Sequence, residues 1–93
     1  MIIAFQYESK AGTTTNAYAT KTFTFSSRFL EITIIDQAAT LRFMLPNGTY
    51  GDEVTYDPDY QSFPYTVPFQ TLGFMIKSAN PGVPAGYQLV NWH

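Results

Sequence analysis

The sequence has no cysteine and a single histidine, His93, at its C-terminal end. Charge is also scarce: five Lys and Arg stand against seven Asp and Glu in 93 residues, for a net charge of -2. Without cysteine there are no disulfides, thiolate metal ligands or thiol nucleophiles. One terminal histidine cannot complete a His/Cys zinc set, and a chain end is a poor place to hold a base beside a nucleophile. The basic residues are scattered singly, so they make no patch that would track a phosphate backbone, and nucleic acid is not an expected partner. No Gly-rich loop runs into a helix with a lysine behind it, as phosphate cradling requires. No apolar run approaches the roughly 20 residues of a membrane span, so no membrane partner is expected. Met1-Ile2-Ile3-Ala4-Phe5 stops at Gln6 and has no basic flank of the signal-peptide kind. It reads as a strand opening the mature chain. Helical periodicity is missing throughout.

What the chain has in excess is aromatic residues: eight Phe, seven Tyr and one Trp, 17% of the sequence. Each can bury roughly 150–250 Å², so a few are enough for a small core. The remainder are expected at a surface, against a partner chain or a ligand. A charge-poor surface suits the same expectation, that of a homo-oligomer packed against other copies or other proteins.

The dominant period is two. Ile3, Phe5 and Tyr7 alternate with smaller or polar residues, and a polar loop is expected around Ala11 to Asn16. Phe23 and Phe25 alternate within Thr20 to Ser26. Leu30, Ile32 and Ile34 form one face of the next strand, and Leu41, Phe43 and Leu45 one face of the strand after it. Leu72, Phe74 and Ile76 oppose Gly73, Met75 and Lys77. The last strand sets Gln88, Val90 and Trp92 against Tyr87, Leu89 and Asn91. Two further strands, near Glu53–Tyr56 and Pro64–Phe69, are interrupted by proline and are expected at sheet edges. Turn chemistry separates the segments at Asp36-Gln37, Pro46-Asn47-Gly48, Asp57-Pro58-Asp59 and Asn80-Pro81-Gly82. Asn47-Gly48 suits positive φ, and this turn also explains the Asn47-Gly48-Thr49 match to a glycosylation acceptor. The chain is thus expected to be all-β, a single domain over residues 1–93 built as an antiparallel β-sandwich or jelly roll of about eight short strands. The strand count does not separate those two.

Four of the seven carboxylates, Asp52, Glu53, Asp57 and Asp59, fall within one short stretch. Ca²⁺ takes six to eight oxygen ligands, but this spacing is not that of an EF-hand loop and Pro58 stiffens it. Aspartates capping backbone N–H groups of a turn are the simpler expectation. A glycosidase would need two carboxylates about 5–10 Å apart across a cleft, which a domain of this size rarely accommodates beside its core. No catalytic residue, metal ligand or cofactor is therefore assigned, and a non-enzymatic protein is expected.

The most informative stretch contains Tyr50, Tyr56, Tyr60, Phe63, Tyr65 and Phe69, interleaved with Pro58, Pro64 and Pro68. These aromatics either roof the core from a long loop or form a partner surface, since Tyr supplies much contact area at low entropic cost. They could also stack on sugar rings, with Asp57, Asp59 and Gln61 as polar partners. Tyr56, Tyr60, Phe63, Tyr65 and Phe69 are taken as the candidate interface.

In order along the chain, Phe23-Thr24-Phe25-Ser26, Phe29 through Asp36, Ala39-Thr40-Leu41-Arg42-Phe43, the acidic turn and short strand Asp52–Tyr56, Leu72 through Lys77 and Tyr87 through Trp92 form a pattern. It resembles small tailed-bacteriophage virion proteins of β-sandwich or jelly-roll type, such as head decoration proteins and head or tail fibre components. The resemblance covers residues 20–92, and the chain departs from it in the Pro- and Tyr-rich segment between Tyr56 and Phe69. It implies a virion location, many copies, attachment to a capsid or tail surface, and no catalysis. A carbohydrate-binding module using the same aromatics is the alternative.

Overall fold

The computed structural model describes residues 7–68 and 70–92. The described chain forms eight strands: β1 (Tyr7–Thr13), β2 (Ala19–Thr22), β3 (Phe29–Ile35), β4 (Ala39–Phe43), β5 (Val54–Tyr56), β6 (Tyr65–Val67), β7 (Gly73–Ser78) and β8 (Gly86–Trp92). They make two four-stranded antiparallel sheets, β1-β8-β3-β6 and β2-β7-β4-β5. The first pairings are nested, with β1 on β8, β2 on β7, β3 on β6 and β4 on β5. The sequence is therefore folded like one long hairpin that is then rolled up, which brings β8 against β3 and β7 against β4. Only β4 and β5 follow each other within a sheet; every other connection crosses between the two. That wrapping is the jelly-roll topology.

Alternation decides which residues the two sheets enclose. Leu30, Ile32 and Ile34 of β3, Tyr87 and Leu89 of β8, Ala39, Leu41 and Phe43 of β4, and Phe74 and Ile76 of β7 form the core. Phe23 and Tyr56 are buried with them, and Phe74 lies at its centre, in ring contact with Phe23 at 5.7 Å and edge-on to Tyr87 at 6.1 Å. Burying a side chain of the Leu, Ile or Phe kind contributes about 1.5–3 kcal/mol, so this cluster is the principal source of stability. The turn residues behave as their chemistry requires: Gly48 and Gly82 have φ of 88° and 77°. Asp36, at φ 71°, takes the same region after β3, where Asp is among the residues that tolerate it.

Three expectations shift. The strand through Ile3 and Phe5 lies outside the described residues, whereas the stretch read as a loop from Ala11 is strand as far as Thr13. An edge strand with no fully buried residue shows no apolar alternation; beside its backbone ladder to β8 it has the bond from Gln88 Nε2 to Ser9 Oγ at 3.1 Å and the Tyr7–Trp92 ring contact. The strand expected over Thr20 to Ser26 ends at Thr22; Phe23 turns into the core and Phe25 outward, 38% exposed. Leu45 and Leu72, expected to continue the faces of Leu41 and Phe43 and of Phe74 and Ile76, lie beyond the strand ends and are 40% and 44% exposed.

Buried polar groups pin the loops. Thr14 Oγ1 bonds Ser78 Oγ at 2.8 Å and accepts the Ala85 amide at 2.8 Å, tying the β1–β2 connection to the end of β7 and to the β7–β8 connection. At the other end Ser27 Oγ accepts the Thr71 amide, and Thr71 Oγ1 donates to the Met44 and Gly73 carbonyls. Asn91, wholly buried, donates from Nδ2 to the Phe25 carbonyl at 2.7 Å.

Candidate interaction surface

β5 and β6 are three-residue edge strands, one in each sheet, and the segment between them carries the aromatic residues singled out above. Tyr56 ends β5 and is turned inward because its strand partner is the core residue Ala39. It is 5% exposed, and burial together with the nearby Tyr65 phenol raises its pKa. Phe63 meets it edge-on at 6.4 Å and Tyr65 lies at 6.0 Å, so the three form one cluster closing the side of the core. Tyr65 remains 45% exposed. Tyr60 stands apart at 87% exposure on the tip of the preceding turn, with no ring contact among the described residues. Phe69 lies outside the described residues.

The structure thus divides the candidate set. Tyr56 is a core residue, Phe63 and Tyr65 form the seam between core and surface, and Tyr60 alone among the described members is fully presented.

The turn beneath Tyr60 is self-contained. Asp57 Oδ1 accepts the Asp59 amide at 2.9 Å, the Asp57 carbonyl accepts the amides of Tyr60 and Gln61, and Gln61 Oε1 accepts the Asp57 amide at 3.0 Å. Asp57 and Gln61 are therefore committed to holding the backbone, as an Asx-type turn does. No group of three or more His, Asp or Glu among the described residues is placed to hold a metal ion.

A second aromatic group was missed in the sequence. The register sets Tyr7 opposite Trp92 and Trp92 opposite Phe29, so the three form a row across the outer face of the β1-β8-β3-β6 sheet. Tyr7 is 62% and Phe29 41% exposed, with the Tyr7 and Trp92 rings 5.2 Å apart. Val90 and the exposed Ile35 lie on the same face, where Glu31 is the one charge among the described strand residues. The signal was present in the Gln88, Val90, Trp92 alternation, but its outward direction depends on Tyr87, Leu89 and Asn91 being the buried set.

The outer face of the other sheet is polar. Tyr18 donates to Glu53 Oε2 at 2.5 Å, Lys77 pairs with the same oxygen at 3.6 Å, and the Lys77 ammonium lies 4.8 Å from the Tyr18 ring centre. Burial and the bond to Glu53 push the Tyr18 phenol up to about 12, while that bond and the Lys77 charge hold Glu53 below its ordinary range. Arg42 donates to the Gly51 and Tyr50 carbonyls, fastening the approach to β5. Glu53 is therefore a structural anchor rather than half of a carboxylate pair.

A cleft of about 110 Å³ at one end, lined by Ser26, Met44, Leu45, Gln70 and Leu72 among others, is small beside the roughly 300–1,000 Å³ of ligand sites. Comparison with protein-family models, curated proteins and solved structures found no match.

Proposed function

We propose that this chain is a non-enzymatic structural subunit of a virus particle, a bacteriophage capsid decoration or fibre-base component that assembles by surface complementarity. One observation carries the reading: large apolar side chains stay exposed on several parts of a small, charge-poor domain. Tyr7, Phe29 and Ile35 lie on one sheet face, and Tyr60 and Tyr65 lie around the β5–β6 segment. Contiguous apolar surface rimmed by polar residues is the mark of an association surface. The jelly roll adds support, because capsid domains use it, as do lectins. The resemblance of residues 20–92 to tailed-phage virion proteins points the same way.

The carbohydrate-binding alternative shares the jelly roll and the exposed Tyr60. It is the weaker reading because Asp57 and Gln61, the polar groups it would use beside the ring, are occupied within their own turn.

Quantitative mass spectrometry of purified particles from the chain's source tests the proposal. Hundreds of copies per particle mean a capsid-covering role, and about a dozen place the chain at the tail or portal. Absence from clean particles sinks the virion reading. Reproducible glycan-array binding that Tyr60→Ala abolishes would replace it with the sugar-binding one.

A further inference from the structure

Four strands terminate the two sheets, and three of them are poor templates for pairing. β5 and β6 have three residues each, with Pro58, Pro64 and Pro68 beside them, and β2 has four with Lys21 among them. Short or proline-flanked edges are a usual protection against edge-to-edge association. β1 is different. It runs for seven residues, Tyr7-Glu8-Ser9-Lys10-Ala11-Gly12-Thr13, without proline, has no buried residue and, among the described residues, has only β8 as a neighbour in its sheet.

We infer that β1 is the edge at which a second copy of this chain adds, antiparallel across a twofold axis at Ser9. The two β1-β8-β3-β6 sheets then become one continuous eight-stranded sheet. The argument is one of charge and register. A twofold axis perpendicular to a sheet keeps inner faces on the same side, so a pairing must centre on a residue. Centred on Ser9, it sets Glu8 opposite Lys10 of the second copy and Lys10 opposite Glu8, two matched pairs related by symmetry. Centred on Lys10, the middle of the strand, it would oppose two lysines; centred on Glu8, two glutamates. Like charges directly opposed destabilise a strand pair, whereas opposite charges support it. Centred on Ala11, it would leave both charges facing uncharged residues.

The side chains are free to make this pairing. Lys10 has no ion pair or hydrogen bond among the described residues. Glu8 uses Oε1 to accept the Thr24 and Phe25 amides, at 2.7 and 3.0 Å, which fixes the carboxylate in place and leaves Oε2 available. On the outer face the same register sets Tyr7, whose ring leans on Trp92, opposite the small Ala11 of the second copy. The aromatic rows of the two copies then share one extended face. This inference stands apart from the virion reading, since it concerns the free chain in solution.

The absence of cysteine makes the test clean. Ser9→Cys places two thiols across the axis at a separation of about 4.5–5.5 Å between Cα atoms, within disulfide range. Ala11→Cys places them about 13 Å apart along the strands, out of range. The expected result is a dimer of the unaltered chain in sedimentation equilibrium. Mild oxidation should cross-link the Ser9→Cys chain and not the Ala11→Cys chain. Lys10→Glu should weaken the dimer about tenfold or more with circular dichroism unchanged, and Lys10→Arg should preserve it. A monomer at all concentrations, or equal cross-linking at the two positions, overturns the inference.

Discussion

Tyr56 and Tyr60 are four positions apart in one aromatic segment, and burial separates their roles. Tyr56→Ala removes a ring packed on Phe63 and Tyr65 and opens the core, at a cost of about 3–5 kcal/mol. Tyr60→Ala takes away a ring 87% exposed and should leave stability within about 0.5 kcal/mol. Urea denaturation of the two variants measures the contrast. Any effect of Tyr60→Ala on assembly is then an interface effect. Gly73 has a different constraint. A Cβ there would lie 2.6 Å from the Lys21 carbonyl oxygen, in the backbone of the paired strand β2. Gly73→Ala must push β2 away from β7 and should cost about 2 kcal/mol, read as a lowered urea midpoint with an unchanged slope. Composition does not mark this glycine, since nothing in the neighbouring residues signals that another strand's carbonyl sits over it.

Between elements, Tyr18 and Lys77 tie the β1–β2 connection and β7 to Glu53, beside β5. This cluster gives a pH dependence of known sign. Below pH 10 the Tyr18 phenol is neutral in both folded and unfolded chains, and its contribution is complete. Between about 10 and 12 the unfolded chain gives up this proton while the folded chain keeps it, so stability falls as pH rises through that window. Glu53 acts in the opposite range. Its depressed folded pKa contributes stability above the ordinary carboxylate pKa of about 4.3, and that is lost as the solution is acidified through the folded value. Tyr18→Phe should therefore flatten part of the alkaline decline in urea-melt stability, leaving the share of Tyr56 and Tyr87, whose phenols burial also raises. It should also shift acid loss to a higher pH, because Glu53 loses its strongest partner. None of this cluster was visible in the sequence, where Tyr18 and Glu53 are 35 positions apart and Lys77 lies farther along the chain.

Over the whole molecule, both sheets close on one core, and the nested pairings tie the N-terminal strand to the C-terminal one. Leu89→Ala in one sheet and Ile76→Ala in the other should each lower a single unfolding transition by about 2–5 kcal/mol. Far-ultraviolet dichroism and tryptophan fluorescence should melt together in both variants; separated transitions would show two independent sheets. Much of this fold was legible in the residues. Phe29 to Ile35, Ala39 to Phe43 and Gly86 to Trp92 alternate as expected, and Leu30, Ile32, Ile34, Leu41 and Phe43 lie in the core, while in the last strand the structure chose Tyr87 and Leu89 over Val90 and Trp92 as the inward face. Proline-broken β5 and β6 are at the edges, as expected, and Gly48 and Gly82 take positive φ in their turns. The candidate surface was legible only in part, because counting aromatics does not distinguish a ring that roofs a core, such as Tyr56, from one that is presented, such as Tyr60.

The sequence by itself determined the all-β class, the turn positions and which residues of each well-patterned strand share a face, because side chains alternate across a strand with a period of two. Tertiary structure alone decided the rolled topology, the β1 edge and the outward aromatic row of Tyr7, Trp92 and Phe29. The physical reason is that alternation records which face of a strand is buried, not which strand lies beside it. Neighbours are chosen by long-range pairing between segments far apart in sequence, which the alternation of a single strand does not record, and an edge strand with no fully buried residue has little pattern to read.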